Sequence, residues 1–183
     1  SQTSHVCAYH QDRKNAFSKA SSFAWVGTVN AKGGRIPRYW TLDRDFAWLL
    51  GFYCAEGSVS AVQTITGRKM LLSFGGQDKQ LITKVKTILD KKMSADLQII
   101  KNYDPRINKY MYYYRAQRIP LVPLFEHGFD AGKGSEFKRV PSFMFTADGT
   151  LRKAFIEGYL EGDGSKWQDP PYKTTFIRFS TKS

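Results

Sequence analysis

The stretch LLGFYCAEGSVS, Leu49 to Ser60, decides how the chain is read. Leu49, Leu50, Phe52 and Tyr53 have the density of a buried helix, yet the run ends on an acidic residue followed by glycine. A carboxylate in the last turn meets the negative end of the helix dipole, which costs about 0.3–1 kcal/mol at an exposed site. A second copy of the pattern, FIEGYLEGDGSK, runs from Phe155 to Lys166. Superposing Glu56 on Asp163 aligns Trp48 with Phe155, Leu49 with Ile156, Gly51 with Gly158, Phe52 with Tyr159, Ala55 with Gly162, Gly57 with Gly164 and Ser58 with Ser165; Leu50 against Glu157 is the mismatch. The repeat continues in LLSFGG (Leu71 to Gly76) and FIRFST (Phe176 to Thr181), with Phe74 18 positions after Glu56 and Phe179 16 positions after Asp163. A shorter hairpin in the second copy accounts for the difference.

Working outward, Thr41 is placed to cap a helix from about Leu42 to Glu56, with Asp43 in its first turn. Strands are expected at Val59 to Thr66 and Lys69 to Phe74, joined near Gly67 and Arg68. Helical spacing of Leu81, Ile82, Val85, Ile88, Leu89 and Met93 predicts an amphipathic helix over Asp78 to Met93. Two more strands, Asp96 to Tyr103 and Lys109 to Gln117, flank the turn-like DPRIN at Asp104 to Asn108, and a short helix starts near Pro120 and stops at Gly128. The expected fold class is α+β, a duplicated αββαββα arrangement whose second copy is incomplete. The implied divisions are an N-terminal extension over 1–38, a first half over 39–130, a Gly- and Lys-rich linker over 131–145, and the start of a second half over 146–183.

The 183 residues carry 28 Lys+Arg against 16 Asp+Glu, a net charge of +12. Such a field attracts polyanions, nucleic acid foremost. No apolar run reaches the length of a membrane span and no signal-peptide core is visible at the polar N-terminus, so a soluble, intracellular protein is expected. Only Cys7 and Cys54 are present, which fits a reducing compartment. His5, Cys7 and His10 supply three zinc-type ligands without an obvious fourth, and a polar tail is the better reading.

Small residues at matching positions of two helices allow close backbone approach. Packing at Gly51 and Gly158 would bring Glu56 and Asp163 together beside the outward-pointing carbonyls of the last turns, at Ala55 and Gly162. Clustered hard oxygen ligands favour Mg²⁺. Paired carboxylates holding a divalent ion on a basic protein point to phosphodiester hydrolysis. The bland alternative is a pair of hydrated helix ends; duplication in one register, followed by matching strands, favours the metal pair.

LLGFYCAEG and IEGYLEGDG resemble the paired motifs of the LAGLIDADG homing endonucleases, with Glu56 and Asp163 at the metal-binding acid. IPRYWTLDRDFAWLLGFYCAEGS and KRVPSFMF look like the intein-encoded branch, and the resemblance covers about Ile36 to Ser183. Cys54 and Glu161 stand where the family name carries its first Asp, a variable site. The resemblance implies a pseudo-two-fold monomer whose motif helices form the interface and whose antiparallel sheets form a saddle on double-stranded DNA. It also implies Mg²⁺-dependent cutting of both strands and a lysine near each metal, with Lys138 as the first candidate and Lys166 as the second. In the intein branch the region before about Arg35 belongs to the splicing domain. No splice-junction nucleophile or terminal His-Asn pair is visible, so splicing by this chain alone is not expected.

In KYMYYYRAQR, Lys109, Met111, Tyr113, Arg115 and Gln117 alternate with Tyr110, Tyr112, Tyr114 and Ala116. Arg and Gln suit guanine and adenine edges, so the set with Arg115 and Gln117 is taken as the DNA face. Gln63, Arg68, Lys69, Gln98, Ile100, Lys101, Lys166 and Arg178 are further candidate contacts. The alternatives are a non-cleaving nucleic-acid binder of maturase-like or regulatory kind, and a decayed intein fragment.

Overall fold

The computed structural model describes residues 5–7, 23–25, 35–37, 39–65, 67–93, 98–116, 121–169 and 174–178. Of the N-terminal region it describes the backbone of β1 (His5–Cys7), β2 (Phe23–Trp25), β3 (Arg35–Pro37) and β4 (Tyr39–Thr41). β1 pairs antiparallel with β4, and β2 with β3. His10 lies outside the described residues, among which no group of three His, Cys, Asp or Glu could hold a metal.

Helix α1 spans Arg44–Glu56. Its cap is Asp43, whose carboxylate accepts the Phe46 N–H at 2.8 Å, and not the expected Thr41, which is spent in β4 opposite His5. Asp43 also holds Lys92 Nζ at 2.8 Å. The helix ends because Gly57 turns to extended backbone, its N–H returning to the Tyr53 carbonyl, and β5 (Gly57–Thr64) starts at once. β6 (Gly67–Gly76) follows. The turn expected at Gly67 and Arg68 is not there, since Gly67 already pairs with Thr64 and Arg68 with Gln63.

Helix α2 (Lys79–Met93) leads to β7 (Ile99–Asp104) and β8 (Lys109–Ala116). The four strands form one antiparallel sheet in the order β5-β6-β8-β7. One face is covered: Ile82, Val85 and Leu89 of α2 are buried, as are Leu72, Phe74 and Tyr114 of the sheet. Next come the short α3 (Leu121–Pro123) and a wider turn over Leu124–Gly128, so the expected α-β-β-α-β-β-α order is present. Phe125 packs at 4.9 Å on Tyr53 of α1 and at 5.3 Å on Phe129. Each such fully buried ring contributes about 1.5–3 kcal/mol.

The Gly- and Lys-rich segment is not a plain loop. It contains α4 (Gly134–Phe137) and a 3₁₀ turn at Ser142–Phe145. Asp148 then caps α5 (Gly149–Asp163), accepting from Thr150 N at 2.8 Å and Leu151 N at 3.0 Å. β9 (Ser165–Asp169) and β10 (Thr174–Arg178) close the described chain as a hairpin. No described helix is long and apolar enough to cross a membrane.

Candidate metal centre and sheet face

Helices α1 and α5 lie side by side with their backbones in contact. A Cβ at Gly51 would fall on the Phe155 carbonyl, 2.8 Å from its carbon and 3.0 Å from Tyr159 N; a Cβ at Gly158 would fall on the Trp48 carbonyl, 2.9 Å from its carbon and 3.0 Å from Phe52 N. Exchanging the aligned positions converts one set of contacts into the other. At Gly162 an added Cβ would stand 2.5 Å from Ala55 Cβ and 3.1 Å from Glu56 Cγ. The last turns therefore converge.

Glu56 and Asp163 end these two helices, the first half-buried and the second exposed. Burial raises the Glu56 pKa, the negative charge of Asp163 raises it further, and Lys138 opposes both. Lys138 comes from the linker and donates to the Ala55 carbonyl at 3.1 Å. Burial lowers its pKa, against the pull of Cys54, Asp163 and Glu56. The Ala55 carbonyl, expected as a metal ligand, accepts this one hydrogen bond and keeps a second lone pair.

The linker is strapped to successive residues of this helix end. Tyr53 Oη donates to the Gly132 carbonyl at 2.7 Å, and Cys54 Sγ to the Arg139 carbonyl at 3.4 Å. Arg139 Nε binds Asp130 at 2.7 Å. Burial pushes the Cys54 thiol up to about 12. Gly132 sits at φ +75°, where an added Cβ would meet the Phe137 carbonyl. Sequence reasoning selected Lys138 but missed this strap, for which the paired glycines at 132 and 134 were the available sign.

Beside the interface, the mismatched Glu157 takes Arg44 at 3.0 Å. Glu161 accepts Trp48 Nε1 at 2.9 Å and lies 3.6 Å from Lys84 Nζ. Both acids are thus paired at the flanks of the interface.

On the sheet, Tyr114 and Ala116 are fully buried on the α2 side, which leaves Arg115, Tyr113 and Met111 on the open face. Arg115 is opposite Ser73, and Ser73 opposite Ser58; Tyr113 is opposite Gly75 and Ile100. Lys101 requires correction. It pairs with Tyr112 and its ammonium lies 3.8 Å from the Tyr110 ring, so it belongs to the helix-covered face and not with Arg115. Lys109 and Gln98 are exposed at strand ends. The Gln63–Arg68 pair also requires correction: its register positions fall in step with Val59–Leu72 on the helix-covered side, whereas the Val62–Lys69 pair falls in step with Ser73 and Arg115. Lys166 pairs with Ile177 and Arg178 with Ser165. Gln117 lies outside the described residues.

No family model matches the chain. It is 29% identical over 173 residues to the uncharacterized protein MJ1054 of Methanocaldococcus jannaschii, covering 93% of this chain and 18% of that one. It is 30% identical over 147 residues to the replication factor C small subunit of the same organism, covering 78% and 8%. With a DNA polymerase of Thermococcus hydrothermalis it shares 31% over 160 residues, covering 86% and 8%. The chain thus spans less than a fifth of the length of these curated relatives. Similar solved structures include I-DmoI in complex with DNA and Mn, at 13% identity, TM-score 0.47 and coverage of 68% and 64%. Another is the homing endonuclease I-WcaI bound to its DNA recognition sequence, at 16%, 0.43, 70% and 55%.

Proposed function

We propose that the chain is the catalytic portion of a site-specific, double-stranded DNA endonuclease of the LAGLIDADG kind, intein-encoded branch, working as a pseudo-two-fold monomer. The observation that carries this reading is the exchange-symmetric contact at Gly51 and Gly158, which brings two helix-terminal carboxylates near enough for the Asp163 charge to act on Glu56. Alignment of under a tenth of a replication factor subunit and of a DNA polymerase with most of this chain supports a unit carried inside unrelated host proteins.

Glu56 and Asp163 would hold the metal. Carboxylates beside main-chain carbonyls are the hard donors Mg²⁺ takes, and the Glu56 pKa is raised first by burial and then by the Asp163 charge, a penalty on the ionised pair that a divalent cation would offset. An ion held there by Glu56 and Asp163 would supply activation of water and charge stabilisation at the leaving oxygen. The residues of the chain do the rest. The glycine contact fixes the carboxylate spacing. Lys138, held by the Ala55 carbonyl, stands ready to neutralise charge developing on a phosphate. The open sheet face with Arg115 binds the duplex, joined by Lys69, Gln98, Lys109, Gln117, Lys166 and Arg178 as further contacts.

One observation favours a second reading, a non-cleaving nucleic-acid binder: Lys138 already supplies a cation at the paired acids. A single experiment separates the two. Glu56→Gln and Asp163→Asn are each expected to abolish double-strand cleavage in Mg²⁺ while leaving duplex binding within about tenfold, since they remove metal ligands and not phosphate contacts. Undiminished cutting by both variants would remove these acids from the mechanism, and a parent that binds tightly but never cuts would favour the second reading.

A further inference from the structure

On the open face of the sheet, Tyr113 lies across Gly75, its partner on the neighbouring strand. A Cβ at Gly75 would stand 2.8 Å from both Cδ1 and Cε1 of the tyrosine ring, so the ring occupies the space that only glycine leaves. The Arg115 guanidinium rests over the same ring, with Cζ 4.5 Å from its centroid. Its Nε is buried and, among the described residues, has no hydrogen-bond partner. Stacking, and not hydrogen bonding at Nε, holds the group in place. Across the sheet Arg115 faces only small side chains, Ser73 and then Ser58.

We propose that Arg115 reads a guanine in the major groove and that Tyr113, seated on Gly75, is the platform that fixes the plane of its guanidinium. The inference rests on the reading of this face as a duplex-binding surface. Guanine offers N7 and O6 acceptors side by side, matched by two coplanar N–H groups. A fixed plane matters for such a pair, because less rotamer freedom is lost for each bond formed. β8 is an interior strand of the sheet, so its open-face residues confront the groove floor, whereas phosphates lie toward the rim. The row also lies close to the acids. Two residues along β5 from Glu56 and two strand spacings across to β8 combine to roughly 12 Å, about three to four base-pair steps.

The test is selection of bound sequences from randomised duplexes without divalent metal, using the parent, Arg115→Gln, Arg115→Ala, Tyr113→Leu and Gly75→Ala. The parent should prefer guanine at one position by about tenfold to a hundredfold. Arg115→Ala should erase the preference there alone, and Arg115→Gln should move it to adenine. Tyr113→Leu and Gly75→Ala should weaken it severalfold while leaving the rest of the profile intact. An unchanged profile in Arg115→Ala would overturn the proposal. So would a uniform loss of affinity with the salt slope reduced by about one, the mark of a phosphate contact. If the Arg115 variants do not fold, Tyr113→Leu retains the arginine, and unchanged guanine preference in that folded variant overturns the platform. A parent that retains no duplex defeats the endonuclease reading itself, and the guanine contact with it.

Discussion

The two motif helices share a sequence pattern and an interface but not an environment. In α1, Leu49 is fully buried, whereas its counterpart Ile156 in α5 is 48% exposed. Leu50 is buried in the core, while Glu157 at the matching position pairs with Arg44. Positions that face the partner helix are alike in both copies because each lies against its own equivalent's neighbours. Positions that face outward diverge, because α1 is covered by the four-stranded sheet and α5 is not similarly covered among the described residues. The duplication therefore constrains one stripe of each helix. That stripe is where the glycines and the two acids lie.

This contrast can be broken most directly at the outward positions. Leu49→Ala should cost about 2–5 kcal/mol by loss of burial and creation of a cavity, whereas Ile156→Ala should stay within about 0.5 kcal/mol. Chemical denaturation of the two variants measures the difference, and similar losses would mean that α5 is covered as α1 is.

The shared stripe makes the opposite prediction. Gly51→Val and Gly158→Val should each cost about 3 kcal/mol, the upper end of overpacking, because the added atoms meet main chain and not a flexible side chain. The two costs should be alike. Displacing the acids by on the order of 1 Å should also slow cleavage about a hundredfold, so activity should fall further than stability. Unequal melting losses would show that the interface is less symmetric than its contacts.

Much of this was legible in the sequence because it repeats or alternates locally. The motif helices, α2 and the strand order follow from periods of 3.6 and 2, and Gly51 and Gly158 stood out because both copies carry them. Asp43 displaced Thr41 as cap because β4 claims Thr41, a pairing with distant His5 that no local pattern reveals. The assignment of Lys101 failed for a related reason: alternation gives two faces, but only the register with Tyr112 says which one the lysine joins. Short helical turns in the linker have no period to detect. The Tyr113–Gly75 contact depends on pairing between strands separated by α2.

The linker is a second asymmetry, since among the described residues its hydrogen bonds to the motif helices go to the α1 end. Tyr53→Phe removes the hydroxyl that holds the Gly132 carbonyl while preserving the ring. A loss of about 1 kcal/mol is expected for this buried hydrogen bond. If the strap positions Lys138, cleavage should fall in Tyr53→Phe while duplex affinity holds; full activity at lowered stability would limit the strap to a structural role.

The smallest expected effect tests the inequivalence of the two acids. Because the folded state raises the Glu56 pKa, its protonated form is the one the fold favours. The corresponding stability is fully present below the ordinary glutamate value of about 4.3 and is lost as pH rises through the raised folded value. At neutral pH without divalent metal an ionisable group at position 56 is therefore a burden, and Glu56→Gln should melt above the parent. That advantage should shrink to nothing as pH falls below about 4. Part of it comes from Asp163, so the gain should be smaller when the substitution is made in an Asp163→Asn background. Added Mg²⁺ should reverse the order at neutral pH by stabilising the parent more than Glu56→Gln, since a ligand that binds only the folded state raises its stability. Melting curves at several pH values, with and without Mg²⁺, supply the measurement. A Glu56→Gln variant that melts below the metal-free parent at neutral pH would mean that Lys138 and the surrounding carbonyls already make the carboxylate favourable there, and the pair would need no metal to coexist.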